Sequence, residues 1–204
     1  LTMYANVDGW NYAEAEVPMD ERPEIDRWIL SELNTLVKNV DACYEDYEPT
    51  RAGRLIQDFV IDNVSNWFVR LSRKRFWGSA MSTDKLSAYQ TLYTCLETVA
   101  KLMAPIAPYY ADRLYRDLTA ATGRAEAESI HLAPFPVCDE TKIDKALEFR
   151  MELAQQITSM VLSLRKKEKI IVRQPLQCIS IPAVDAAQRE SIEAVKQLIL
   201  DEVN

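Results

Sequence analysis

Residues 66–77 read NWFVRLSRKRFW, a stretch that joins the apolar spacing of a packed helix to a dense cluster of positive charge. Upstream of it, apolar side chains already recur at helical intervals. These are Leu55, Ile56, Phe59, Val60 and Val64, and Trp67, Phe68 and Leu71 continue the series. Thr50 is a suitable N-cap and Gly78 a suitable stop. The spacing predicts one continuous α-helix over residues 50–77, with Trp67 and Phe68 facing a core.

Helical spacing of apolar residues extends in both directions from this segment. It predicts helices from Pro23 to about Tyr47, from Ser82 or Thr83 to Met103, over 107–121, from Asp139 to about Leu164, and over 185–202. The prediction is a mainly α fold, an antiparallel helix bundle with a small C-terminal α/β appendix.

Three regions are expected along the chain. Residues 1–22 are predicted to be a linker, and residues 23–138 the helix bundle. Residues 139–204 are predicted to hold a long helix and the α/β appendix, in which IIV at 170–172 and LQCISIP at 176–182 are read as short strands, the second buried on both sides. The first and last residues suggest a piece of a longer protein, truncated at its C-terminus.

The composition is that of an ordinary globular protein: 204 residues, 48% apolar and 27% charged, with only four glycines. A net charge of −7 argues against a general nucleic-acid binder. The charge is unevenly placed, however, because residues 63–83 contain four cations and no acid. The four cysteines are far apart, which argues against a metal site and fits reduced thiols in a cytoplasmic protein. No apolar run is long enough to span a membrane.

On a helical wheel of about 100° per residue, one side of the predicted helix carries amides, cations and one aromatic ring. This basic face consists of Asn63, Asn66, Arg70, Arg73, Lys74 and Trp77. Arg75 departs from the pattern and points toward the apolar side. Either the helix frays there, or Arg75 pairs with a carboxylate of a neighbouring helix.

The basic face has the groups that RNA binding requires. Cations attract phosphates, amides hydrogen-bond base edges, and a flat ring offers a surface for base stacking. A solvated helix face or a contact with an acidic protein partner are the alternatives, although a solvated face normally mixes both signs of charge. The sequence therefore predicts a nucleic-acid-binding module, with a helical protein-interaction module as the alternative.

Further candidate sites are weaker. Lys166, Lys167, Arg173 and Gln174 lie at or after the end of a long helix, where cations favour the helix dipole and are also placed to contact RNA. His131 lacks partners for catalysis and is expected to hydrogen-bond to backbone. Five tyrosines at helical spacing are expected in core or interface packing: Tyr89, Tyr93, Tyr109, Tyr110 and Tyr115. No catalytic or metal-ligating residue is predicted.

Several segments in order resemble the anticodon-binding domain of class I aminoacyl-tRNA synthetases of the Ile/Val/Leu group. The isoleucyl branch is the most similar in NWFVRLSRKRFW at 66–77. The other segments are YANVDGW at 4–10, DRWILSELN at 26–34, LMAPIAPYYADRLY at 102–115, SIHLAPFP at 129–136, VRQPL at 172–176 and LILDEVN at 198–204. A valyl or leucyl identity stays open.

The resemblance implies binding of the anticodon stem and loop of an isoleucine tRNA. Neither ATP-binding signature of the family, HIGH or KMSKS, occurs in the chain. A ligase fragment without catalysis of its own is therefore expected. ATP and Mg²⁺ would serve the parent enzyme, whose catalytic and editing domains would be partners within the same chain. A cytoplasmic monomer is expected.

Overall fold

The computed structural model describes residues 2–78, 80–172 and 174–203, without the side chains of Thr2 and Met3. The chain divides into two compact units, Leu1–Ile143 and Asp144–Asn204. Among the described residues all regular structure is helical, which confirms the mainly α prediction. The helices are α1 Thr2–Asp8, α2 Glu24–Glu45, α3 Pro49–Asp58, a π-helix Phe59–Val69, α4 Arg73–Trp77, α5 Thr83–Met103, α6 Pro108–Thr122, α7 Lys145–Lys167, α8 Ala186–Ala194 and α9 Lys196–Val203. Three short 3₁₀ turns lie at Met19–Glu21, Ile130–Leu132 and Glu140–Lys142.

The first unit is a helix bundle in which α2 packs against α3, the π-helix and α5, and α6 packs against α5. Several of its helix boundaries follow the predicted signals, but the predicted cap Thr50 was wrong, because it lies inside α3, whose N-cap is Glu48. Pro23 precedes α2, the Ser82 hydroxyl accepts from the Lys85 backbone N–H at 3.1 Å, and Gly123 ends α6 at φ 67°. The core is formed by large side chains of several helices: Trp28, Ile29, Val40, Phe68, Tyr89, Leu102 and Tyr115.

Residues 4–22, within the segment read as a linker, pack onto α5. The Trp10 ring stacks on Tyr89 with centroids 5.1 Å apart. The Gln90 side chain accepts from the Val17 backbone N–H and donates to the Ala15 carbonyl, both at 2.9 Å. Hydrogen bonds from a buried side chain to two backbone groups fix the path of this segment over the bundle.

The helix predicted over 50–77 is interrupted, so the continuous α-helix was a wrong prediction. After α3, residues 59–69 form a π-helix, whose hydrogen bonds reach one residue further than in an α-helix. Ser72 then leaves helical geometry at φ −83° and ψ 1°, and its carbonyl accepts from the N–H groups of Arg75 and Phe76. This break orients α4 so that Phe76 enters the core.

In the second unit, α7 packs against α8 and α9. It begins at Lys145, six residues after the predicted start, because the Asp144 side chain caps it by accepting from the Leu147 N–H at 3.0 Å. Asp139 instead caps the 3₁₀ turn Glu140–Lys142. The predicted final helix is divided at Val195, where the backbone has φ −103° and ψ 8°.

The prediction of strands at 170–172 and 176–182 was wrong, because the described residues there have no regular structure. Ile179 and Ile181 line a cavity of about 490 Å³ together with residues of α8 and α9, while Cys178 and Ser180 are exposed. The alternation of burial therefore holds only over residues 178–181, because Gln177 is exposed and Leu176 is partly buried. In the described part of the unit no second strand is present to complete a ladder, which an isolated strand needs to be stable.

Candidate RNA-binding surface

The predicted basic face is accessible to solvent in spite of the break at Ser72. Asn66, Arg73 and Lys74 are exposed, Asn63 and Arg70 are partly buried, and the Trp77 side chain is 60% exposed. Partial burial is the main cause that lowers the pKa of Arg70, and the positive charge of Arg73 lowers it further. Arg70 and Arg73 thus lie close enough to act on one another, although they lie on opposite sides of the break.

Arg75 pairs with a neighbouring helix, the second of the two alternatives. Its guanidinium donates to both carboxylate oxygens of Asp26 on α2, at 2.6 and 2.8 Å, and to the Asp84 carbonyl at 2.8 Å. The Asp84 carboxylate also lies 2.9 Å from Arg75 Nε. Burial alone would lower the pKa of Arg75, but the two carboxylates raise it. Arg75 therefore anchors α4 instead of contributing to the exposed face.

The far end of α4 is fixed by contacts with α1 and α5. The Trp77 indole N–H donates to the hydroxyl of Tyr4, whose ring stacks on Phe76 with centroids 6.5 Å apart. The Lys85 ammonium, which is buried, donates to the Gly78 carbonyl and pairs with Asp8, each at 2.6 Å. Sequence reasoning missed these anchors, because contacts between α1 and α4 leave no periodic signal.

The second group of predicted RNA contacts lies in the second unit. Lys166 and Lys167 are exposed at the end of α7, and Gln174 is exposed beyond it. Arg173 lies outside the described residues. The Arg165 side chain, 2% exposed, donates to the carbonyls of Ile171 at 3.2 Å and Gln174 at 2.9 Å. Arg165 therefore holds the turn after α7, a role that the sequence did not reveal.

The remaining candidates have simpler placements. Tyr89, Tyr93 and Tyr115 are buried as expected, whereas Tyr109 and Tyr110 are exposed and do not belong to the core. His131 lies exposed in the turn Ile130–Leu132.

The described residues contain neither a metal-binding cluster nor a membrane-spanning helix. Over residues 2–78, 80–172 and 174–203, no three or more His, Cys, Asp or Glu residues are grouped so as to hold a metal ion. Nor does any helix in these ranges combine the length and apolar character needed to cross a membrane.

Comparison with known proteins identifies the bundle. The family described as "Anticodon-binding domain of tRNA ligase" matches residues 26–180, which run from the first turn of α2 through α7. The chain belongs to this family. The match contains all of the basic face and its anchor Asp26, and it ends within the irregular segment that follows α7. The resemblance inferred from the sequence motifs is therefore confirmed.

Three relatives that align with the whole chain are named isoleucine–tRNA ligase. The chain is 71% identical over its whole length to an isoleucine–tRNA ligase of Bacteroides thetaiotaomicron, and 61% identical to one of Porphyromonas gingivalis. An isoleucine–tRNA ligase of Thermobifida fusca is 41% identical, again with the whole chain matched. The chain spans about a fifth of the length of these relatives, namely 18%, 18% and 19%.

Proposed function

We propose that this chain is the anticodon-binding part of an isoleucine–tRNA ligase and that it binds the anticodon stem and loop of an isoleucine tRNA. The observation that carries the proposal is the family match over residues 26–180. The name shared by relatives that align with the whole chain supports isoleucine rather than valine or leucine. The exposed cations of the basic face support its position as the RNA-binding surface.

In this proposal the cations and the neutral groups of the face have different tasks. Arg70, Arg73 and Lys74 contact phosphates, which releases counterions and positions the RNA without reading its sequence. Trp77 stacks on an unpaired loop base, a contact worth about 1–3 kcal/mol per base. The Asn63 and Asn66 amides hydrogen-bond to base edges, which is where single-stranded RNA is read.

The turn after α7 is proposed as a second group of phosphate contacts. Lys166 and Lys167 are exposed there, and Arg173 and Gln174 follow in the sequence. The buried Arg165 restrains the backbone that carries Gln174. A restrained backbone reduces the ordering cost when RNA binds.

The module contributes binding energy and performs no chemistry of its own. Binding energy gained far from the reacting groups can support the reaction by holding the substrate in place. We assign ATP and Mg²⁺, which an isoleucine–tRNA ligase would use, to catalytic parts outside this chain. The editing domain is also assigned to a part of the longer protein outside this chain. The proposed setting is the cytoplasm, with the chain acting as a monomer.

The proposal is tested by reversing two exposed charges, with the double variant Arg73→Glu/Lys74→Glu, and titrating the chain with an isoleucine tRNA transcript. Log K falls with log salt, and each lost phosphate contact reduces the magnitude of this slope by about 1. The magnitude should therefore decrease by about 2 in the double variant. Reversal of Arg70 is avoided because its side chain is partly buried. Valine and leucine tRNA transcripts, tested alongside, should bind the unmodified chain more weakly.

The matched control is Arg113→Glu/Lys142→Glu, which changes the net charge equally in another part of the first unit. Both side chains are at least half exposed and form surface ion pairs with Asp117 and Asp139. Such pairs contribute little to stability. If the control weakens tRNA binding as much as the Arg73→Glu/Lys74→Glu variant does, the attraction is general and the basic face is not the site.

A further inference from the structure

Tyr4 lies where it can hold the aromatic ring of the basic face. Its hydroxyl accepts a hydrogen bond from the Trp77 indole N–H, and its ring lies nearly parallel to Phe76, at an angle of 13°. Phe76 is buried against Tyr89, with ring centroids 5.1 Å apart. The Trp77 ring is thus exposed, and its indole nitrogen is hydrogen-bonded to Tyr4, which itself packs on Phe76.

We propose that Tyr4 is a positioning residue of the RNA-binding surface, which fixes the orientation of Trp77 before a base stacks on it. This inference rests on the proposed function. It goes beyond it by assigning a role in RNA binding to α1, a segment that the sequence suggested to be a linker and that lies outside the family match.

The anchor itself is held firmly. Asp8, at the other end of α1, pairs with Lys85 at 2.6 Å and accepts a hydrogen bond from Tyr89. Lys85 and Tyr89 lie on α5 in the core of the bundle, and Lys85 also donates to the carbonyl of Gly78, directly after Trp77. The helix that carries Tyr4 and the residue that follows Trp77 are therefore both attached to α5, through Asp8 and Gly78 respectively. A side chain fixed in this way loses less conformational freedom on binding.

The discriminating variant is Tyr4→Phe, which removes the hydroxyl and retains the ring on Phe76. Loss of the ordering that the bond provides should weaken binding of an anticodon stem–loop RNA by about threefold to tenfold. The slope of log K against log salt should stay unchanged, because no charge is altered. Tyr109→Phe is the matched control, since this hydroxyl is removed from a ring that is 91% exposed and distant in sequence from α4.

A double-mutant cycle separates positioning from general structure. In a Trp77→Phe background, which lacks the indole donor, Tyr4→Phe should cause no further loss. An equal loss in both backgrounds would overturn the proposal, as would an unchanged affinity of Tyr4→Phe. So would a lowered midpoint of urea unfolding that accounts for the weaker binding.

The outcomes of the two tests can be told apart. If Arg73→Glu/Lys74→Glu weakens RNA binding and Tyr4→Phe does not, the proposed function stands and the role of Tyr4 is refuted. If neither variant changes binding, the proposed RNA surface fails first, and the inference about Tyr4 fails with it.

Discussion

Arg75 of α4 and Asp26 of α2 form a bidentate salt bridge between the two helices, with N–O distances of 2.6 and 2.8 Å. Asp26 is completely buried, and the Ser87 hydroxyl donates to the same carboxylate. A buried carboxylate is tolerated only when its charge and hydrogen bonds are satisfied. The pair therefore decides where α4, and with it the exposed Arg73 and Lys74, can lie on the bundle.

Asp26→Asn is expected to destabilise the protein strongly. The substitution leaves the mostly buried Arg75 without its main countercharge, and breaking a buried pair from one side costs about 3–5 kcal/mol. Urea unfolding at neutral pH measures the change in the free energy of unfolding. Because α4 loses its anchor, tRNA affinity should fall as well in conditions where the variant is still folded.

Asp84→Asn is the matched comparison, since Asp84 also lies beside Arg75 but is half exposed. An exposed ion pair contributes about 0–1 kcal/mol, so this variant should unfold close to the unmodified chain. If Asp26→Asn and Asp84→Asn reduce the free energy of unfolding by similar amounts, Asp26 is not the main countercharge of Arg75.

The regular helices of the bundle could be predicted from the sequence because local signals and packing agree. The observed α5, Thr83–Met103, has both an apolar stripe and a capping Ser82, and α6 begins at Pro108 and ends before Gly123. The off-pattern position of Arg75 also carried information, since it indicated a carboxylate on another helix. The partner itself, Asp26, depends on how the helices pack and has no local signal.

The interruption at Ser72 and the missing strands could not be predicted, for two different physical reasons. A helical wheel assumes about 3.6 residues per turn, and the π-helix Phe59–Val69 does not have this period. The pattern around Ile179 and Ile181 shows that alternate side chains are sheltered. It does not show whether the shelter is a second strand or, as found, the side chains of α8 and α9.

Two glycines of the first unit should respond to alanine in opposite directions. Gly53 lies inside α3, and an added Cβ would lie 3.4 Å from Ile106 Cδ1, so Gly53→Ala should stabilise by about 0.5–1 kcal/mol. Gly123 ends α6 at φ 67°, where a Cβ is unfavourable, so Gly123→Ala should destabilise by about 1–2 kcal/mol.

Urea unfolding of both variants under one set of conditions measures these differences. A loss of stability in Gly53→Ala would mean that Ile106 cannot move by the few tenths of an ångström that the new methyl group requires. A neutral Gly123→Ala would mean that the end of α6 can rearrange without cost.

Asp112 on α6 should make stability depend on pH in the acid range. Its carboxylate accepts from the Ser129 hydroxyl at 2.7 Å, the Ile130 N–H at 3.1 Å and Arg116 Nε at 2.7 Å. These bonds, that of Ser129 foremost, lower the pKa of Asp112 below its ordinary value of 3.8. A carboxyl with a lowered folded-state pKa stabilises fully above its unfolded pKa, and this stabilisation is lost as the pH falls through the folded-state pKa.

Asp112→Asn should therefore flatten the acid limb of the stability curve, measured by urea unfolding at a series of pH values from about 6 down to about 2.5. The variant should be less stable than the unmodified chain above the unfolded pKa, and the two curves should approach one another as the pH falls and Asp112 becomes protonated. Ser129→Ala retains the carboxylate but removes its first donor, so its curve should lie between the other two. Parallel curves for the unmodified chain and Asp112→Asn would show that the link between α6 and the turn Ile130–Leu132 does not depend on the charge of Asp112.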